Sequence, residues 1–217
     1  MRAAADLNSV FGLYLVMTDP VVGYARCAEA AVAAGIRYVQ LRMKNAPRDL
    51  ILKTAAEVKS VTTGSETIFI VNDSPSIAAE AGADGVHLGQ DDMTISEARR
   101  LYPELRVIGL STHSLSQAIT ASAENPDYIG VGPVFTTPTK AIPDPVLGPD
   151  LAGHIIKTVN TPAVAIGGLN TANLPTVLAA GAINFSVVRA VCQSTTPLDA
   201  IRNLMDIWRK TISLVNT

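Results

Sequence analysis

Residues Thr67 to Asp92 read TIFIVNDSPSIAAEAGADGVHLGQDD. Thr67–Asn72 is a short run of β-branched and aromatic residues, the composition of a buried strand. Asp73-Ser74-Pro75 breaks it, and Ser76–Ala81 is short, small and Ala-rich, as a helix packed close to a sheet would be. Ala81-Gly82-Ala83 then closes the helix, and Gly85–Leu88 is a second apolar run that ends in a polar loop. A helix between two apolar strands places the strands parallel, because a parallel pair needs a crossover.

The same unit recurs on both sides. Further strand-like runs are Gly12–Thr18, Tyr38–Arg42, Arg106–Ser111, Tyr128–Gly132, Ala163–Gly167 and Asn184–Val188, which makes eight in all. Helical spacing or composition falls between them at Val22–Ala34, Arg48–Val61, Thr94–Leu101, Leu115–Glu124, Leu151–Val159, Asn173–Ala180 and Leu198–Trp208. Eight units in 217 residues predict an α/β fold of one domain spanning 1–217. The predicted architecture is a (β/α)8 TIM barrel with its core over about residues 11–210. No Gly-rich dinucleotide fingerprint follows the first run, which disfavours an open doubly wound sheet.

Composition excludes several classes. Apolar residues form 48% of the chain and charged residues 17%, enough for a large core and unlike a disordered chain. The net charge of −2 offers no basic field for nucleic acid or an anionic membrane. No apolar run approaches the roughly 18 residues of a membrane span, and the N-terminus lacks a signal-peptide core. Cys27 and Cys192 are far apart in sequence and read as buried free thiols of a reducing compartment, so the expectation is a cytoplasmic protein. The sequence leaves the oligomeric state open, a homo-oligomer included.

In such a barrel the chemistry lies at the C-terminal ends of the strands. The second run ends Gln40-Leu41-Arg42-Met43-Lys44; alternation sends Gln40, Arg42 and Lys44 to one face and Leu41 and Met43 to the helices. Asn72-Asp73 and the loop His87–Asp92 bring Asp73 and Asp92 to neighbouring strand ends. Two carboxylates there suit Mg²⁺, which completes its shell with water and phosphate oxygens. Asp73 can equally cap a helix, and Asp92 can equally serve a turn. Ser111 either faces the mouth or caps the next helix, and His113 follows in the loop. The longest loop, Phe135–Pro149, carries Thr136, Thr137, Thr139 and Lys140 and reads as an anion contact or lid. Gly167-Gly168 and Val188-Arg189 end the last two runs, where barrels of this kind often hold phosphate on exposed N–H groups. From the residues alone, the reading is a Mg²⁺-assisted enzyme on phosphorylated substrates.

The ordered set Gln40-x-Arg42-x-Lys44, Asn72-Asp73, His87-Leu88-Gly89-Gln90-x-Asp92, Gly109-x-Ser111-x-His113, Tyr128-Ile129-Gly130-x-Gly132-Pro133-x-Phe135-x-Thr137-x-Thr139-Lys140 and Ala165-Ile166-Gly167-Gly168 resembles the signature of the thiamine phosphate synthase family, from about Gly12 to Val191. That resemblance implies a cytoplasmic transferase of thiamine biosynthesis. It would join a diphosphomethyl-pyrimidine to a thiazole phosphate, or its carboxylated form, and release pyrophosphate by a dissociative Mg²⁺-assisted route. It implies Asp73 and Asp92 as metal ligands and Arg42, Lys44, Ser111 and Lys140 as catalytic groups. Gln40, Leu41, Met43 and Asn72 would join them on the pyrimidine diphosphate. Thr137, Pro138, Thr139, Gly168, Val188 and Arg189 would hold the thiazole phosphate.

Two positions depart from the family pattern. Asn184 stands where glycine is frequent, with an expected effect on local packing alone, and Arg189 stands where some relatives carry serine. A thiazole tautomerase on the same barrel would not need the cationic corner or the carboxylate pair. A non-catalytic phospho-ligand-binding relative would need the pocket but release no pyrophosphate.

Overall fold

The computed structural model describes residues 10–139 and 144–215. Eight parallel strands close into a barrel in sequence order. They are β1 (Leu13–Met17), β2 (Tyr38–Leu41), β3 (Ile68–Asn72), β4 (Gly85–Leu88), β5 (Val107–Thr112), β6 (Tyr128–Val131), β7 (Ala163–Ala165) and β8 (Asn184–Val187). The helices are α1 (Tyr24–Ala33), α2 (Arg48–Thr62), α3 (Pro75–Glu80), α4 (Ile95–Leu101), α5 (Leu115–Ala123), α6 (Gly148–Thr158), α7 (Leu174–Ala179), α8 (Arg189–Cys192) and α9 (Pro197–Val215). No helix among the described residues is long and apolar enough to cross a membrane.

The predicted elements are all present, with three corrections. α8 was not expected, because four residues are too few to show a helical period. α6 begins at Gly148, ahead of the expected Leu151, since Gly148-Pro149 forms its first turn. α9 continues past Trp208 to Val215.

Strand alternation divides the apolar residues between two cores. Leu13, Leu15 and Met17 of β1 pack outward under the helices with Leu41, Phe69, Val86 and Ile201. Tyr14 and Val16 point inward and meet Tyr38, Ile70, Val107, Tyr128 and Val164 inside the barrel. Each fully buried large side chain here contributes about 1.5–3 kcal/mol of transfer free energy. Phe11 closes the lower end, its ring centroid 4.7 Å from that of Tyr38. Asn184 also works there: its Oδ1 accepts the Phe11 and Gly12 N–H groups at 2.9 and 3.0 Å, tying the chain before β1 to β8. A glycine at that position has no side chain to do this.

Cys27 and Cys192 are both buried free thiols, as expected. Distant in sequence, they are brought into hydrogen-bonding contact where α1 meets α8.

The interior is tight beside Gly109, where an added Cβ would lie 2.1 Å from Tyr128 Cζ. That ring cannot swing aside, because its hydroxyl is bonded on both sides within the barrel. Gly109→Ala is therefore expected to cost about 1–3 kcal/mol by overpacking. At about 2–4 °C per kcal/mol for a chain of this size, calorimetry should record a Tm lower by roughly 2–12 °C.

Candidate active site

β2 ends at Leu41, and Arg42 continues its direction by donating its N–H to the Met17 carbonyl at 3.0 Å. The side chain of Arg42 is half-buried. Burial pulls its pKa below the ordinary value, while the neighbouring charges of Asp73 and Asp19 oppose that shift. Lys44, exposed one turn further on, forms an ion pair with Asp73. Gln40 does not stand at the rim with these cations. It is buried and directs its Nε2–H inward to the Tyr14 hydroxyl at 2.8 Å. Leu41 and Met43 turn their side chains toward the helix layer, as alternation requires, so they offer the mouth only main chain.

The competing assignments as helix caps are resolved by neighbouring residues. Ser74, not Asp73, caps α3 by accepting the Ile77 N–H at 3.3 Å. Thr94 caps α4 in a reciprocal box with Glu97, which leaves Asp92 outside the cap. Ser114, not Ser111, caps α5. Asp73 and Ser111 are thus free of capping, while Asp92 does serve a turn through one oxygen, Oδ2, which accepts the Gly89 N–H at 2.6 Å.

Asp73, at φ 65°, and Asp92 lie within hydrogen-bonding reach of each other. Burial raises the Asp92 carboxyl above its usual range, and the charge of Asp73 adds to the rise. The Gly89 N–H, donated to Asp92 Oδ2 at 2.6 Å, works in the opposite direction. No cluster of three or more His, Cys, Asp or Glu side chains positioned for a metal occurs among the described residues. Two hard carboxylates fit an ion such as Mg²⁺, which takes one or two protein carboxylates and fills its shell from substrate oxygens and water.

Across the mouth, Gly167 and Gly168 have φ values of 106° and 68°, which side-chain-bearing residues rarely adopt. A Cβ on Gly168 would lie 2.7 Å from the Thr136 carbonyl oxygen, so the two loops touch backbone to backbone. Phe135 N–H bonds the Gly167 carbonyl at 3.0 Å, and Asn173 Nδ2 bonds the Gly168 carbonyl at 3.0 Å. Thr137 Oγ1 accepts the Thr139 N–H at 3.3 Å and donates to Thr139 Oγ1 at 3.1 Å. Pro138 is exposed, Val188 is half-buried at the start of α8, and Arg189 is exposed. His113 ties this loop down: Nδ1–H donates to the Gly132 carbonyl at 2.6 Å, and Nε2 lies 3.5 Å from Asp144 Oδ2. Lys140 lies outside the described residues.

The barrel mouth therefore carries a cationic corner facing two carboxylates, and opposite it a glycine-lined backbone surface. Residues 13–191 match the family model for thiamine monophosphate synthase. The chain belongs to that family. As a family member it is a transferase of thiamine biosynthesis. It is 40% identical over 200 residues to the thiamine-phosphate synthase of Methanocella arvoryzae, covering 91% of this chain and 94% of that protein. It is 43% identical over 185 residues to the thiamine-phosphate synthase of Gloeobacter violaceus, covering 85% of this chain but only 54% of that longer protein. Among solved structures, thiamine phosphate pyrophosphorylase from Pyrococcus furiosus superposes with a TM-score of 0.86 at 30% identity, over 95% of this chain and 99% of that one. A 3-hexulose-6-phosphate synthase at 17% identity and TM-score 0.64 shares the fold alone.

Sequence reasoning missed two groups in this thiamine monophosphate synthase family site. Asp19, just past β1, accepts a hydrogen bond from the Tyr24 hydroxyl at 3.2 Å and adds negative charge near Arg42. The strand-end rule that picked out Asp73 applies to it equally. Tyr14 and Tyr128 were assigned no chemistry, although a buried tyrosine hydroxyl needs a partner and two inside one barrel invite the question of which.

Proposed function

We propose that this chain carries out its family's condensation of a pyrimidine diphosphate with a thiazole phosphate at the barrel mouth, with the two anions bound on opposite sides. The observation that carries the reading is the cationic corner, Arg42 and Lys44, set against the paired carboxylates Asp73 and Asp92.

The pyrimidine diphosphate occupies that corner. Arg42, Lys44, Asn72, Ser111 and Lys140 bind its oxygens, while Gln40 presents its amide to the ligand from below. Asp73 and Asp92 would hold Mg²⁺, which supplies charge neutralisation for the diphosphate when bound. The bond between the pyrimidine methylene carbon and the diphosphate oxygen breaks with its electron pair leaving on the diphosphate. Arg42 and Lys44 offset the negative charge that develops there. The thiazole phosphate lies on Gly168, the Thr137–Thr139 turn and the Val188–Arg189 main chain, which aims the ring nitrogen at the same carbon. That nitrogen donates its lone pair to form the new carbon–nitrogen bond, and no side-chain base is required. The cytoplasm is the compartment that fits the buried free thiols Cys27 and Cys192.

The test is pyrophosphate release by the purified chain supplied with both substrates and Mg²⁺. A tautomerase or a non-catalytic binder on this barrel would release none, and that result would retire the proposal.

The raised Asp92 pKa gives a second expectation. A protonated carboxyl cannot hold a dication, so as pH falls through the Asp92 pKa the rate should fall. This acid limb should lie above the ordinary aspartate value of about 3.9. Higher Mg²⁺ should displace it to lower pH by mass action. Profiles of kcat/KM against pH at two Mg²⁺ concentrations check this; a limb that ignores Mg²⁺ contradicts it.

A further inference from the structure

A continuous hydrogen-bond chain runs through the barrel interior below the site. Gln40 Nε2 donates to the Tyr14 hydroxyl at 2.8 Å, and the Tyr14 and Tyr128 hydroxyls are 2.8 Å apart. Tyr128 meets His87 Nδ1 at 2.8 Å, and His87 Nε2 meets Ser111 Oγ at 2.9 Å. Tyr14 and Tyr128 are both deeply buried, and the His87 ring stacks on Tyr128 with centroids 5.4 Å apart.

The chain has a direction. An amide N–H can only donate, so the Tyr14 oxygen accepts and its single proton goes to Tyr128. The Tyr128 proton then goes to Nδ1. A neutral ring that accepts at Nδ1 carries its proton on Nε2 and donates to Ser111. The proton of Ser111 is left for the mouth. Running the chain the other way would set Tyr14 between two donors and leave its own proton without an acceptor in the chain. It would also turn the Ser111 proton onto His87, so that only lone pairs faced an incoming anion. Buried chains of this kind polarise one another, which penalises a mixed arrangement. Burial favours the protonated phenols of both tyrosines and the uncharged ring of His87, whose pKa falls to about 4.

We propose that Tyr14, Tyr128 and His87 are positioning residues that, through this one-way chain starting at Gln40, hold the Ser111 hydroxyl as a hydrogen-bond donor to the leaving diphosphate. The proposal rests on the reading of the site given under Proposed function. The three side chains touch no substrate; they act through Ser111.

The test has one arm that needs no activity. In protein labelled with ¹⁵N-histidine, NMR should show the His87 proton on Nε2 and a pyridine-like Nδ1. The signal is assigned by its loss in His87→Asn, since His113 and His154 are the other histidines. Tyr128→Phe, which keeps the ring and its packing, removes the donor to Nδ1; Gln40→Glu replaces the starting donor with an acceptor. Gln40→Glu should move the proton to Nδ1, whereas Tyr128→Phe leaves Nδ1 with neither donor nor acceptor, so the chain no longer fixes the ring or the Ser111 hydroxyl. In the kinetic arm, Tyr128→Phe should lower kcat about tenfold, the scale of a lost hydrogen bond to a charged oxygen, with KM for the thiazole phosphate unchanged. In a Ser111→Ala background the same substitution should change kcat less than about twofold, because its route to the substrate is gone.

A wild-type His87 protonated on Nδ1, or a full tenfold cost of Tyr128→Phe in the Ser111→Ala background, overturns the proposal. The tautomer as expected in a protein that never releases pyrophosphate would instead overturn the functional reading and leave the chain's direction standing.

Discussion

Asp92→Ala is expected to lower turnover by about 100-fold or more, the usual scale for removing a group that supports developing charge. The loss should come without a matching loss of stability. In the folded chain the Asp92 carboxyl is shifted above its usual range, by burial first and by Asp73 second. A carboxyl whose pKa is higher folded than unfolded opposes folding once it ionises, an effect present at neutral pH and relieved as pH falls through the folded value. Alanine removes that opposition while giving up the bond from the Gly89 N–H at 2.6 Å. The two changes offset, so Tm should move by only a few degrees while activity collapses. A merely structural Asp92 predicts the reverse pattern. Raising Mg²⁺ should not restore the variant, since half of the carboxylate pair is gone. Turnover within threefold of wild type, in protein that melts normally, would remove Asp92 from the site.

How much of this was legible in the sequence depends on which physical signal carried it. The strands were readable because a parallel barrel strand is covered on both faces and appears as an uninterrupted apolar run. Gly85–Leu88 matches its strand at both ends for that reason. The mouth residues were readable because polar groups at the end of an apolar strand have few structural uses, and Arg42, Asp73 and Asp92 do converge. Gln40 differs in depth alone. Alternation put it correctly on the inner face, but the strand ends at Leu41, so an inner residue one step earlier lies inside the barrel and not on its rim. The chain from Tyr14 to Ser111 was not legible, since it joins four strands and nothing in a linear sequence says that Tyr14 and Tyr128 are 2.8 Å apart. Asn184, read as a packing substitution, supplies two main-chain bonds that depend on where Phe11 and Gly12 return beside β8.

Arg42→Ala should produce an effect as large, about 100-fold in kcat, and for a related electrostatic reason. Arg42 is held half-buried, where desolvation disfavours its charge and the carboxylates of Asp73 and Asp19 offset that only in part. Asp73 is also committed to Lys44. A guanidinium left under-compensated in this way is poised for a further anion, and the diphosphate corner is where one arrives. Binding the ground-state diphosphate uses part of this attraction; the rest appears only as the carbon–oxygen bond lengthens and charge gathers on the leaving oxygens. The loss should therefore fall mainly on kcat, with a smaller rise in KM for the pyrimidine diphosphate. Arg42→Lys should recover little of it, because an ammonium keeps the charge but loses the planar fork that grips two oxygens at once. Steady-state rates of pyrophosphate release for both variants decide the point. If lysine restores the rate to within about threefold, Arg42 acts as a diffuse charge and the two-oxygen contact does not exist; if alanine raises KM alone, the residue binds substrate without assisting departure.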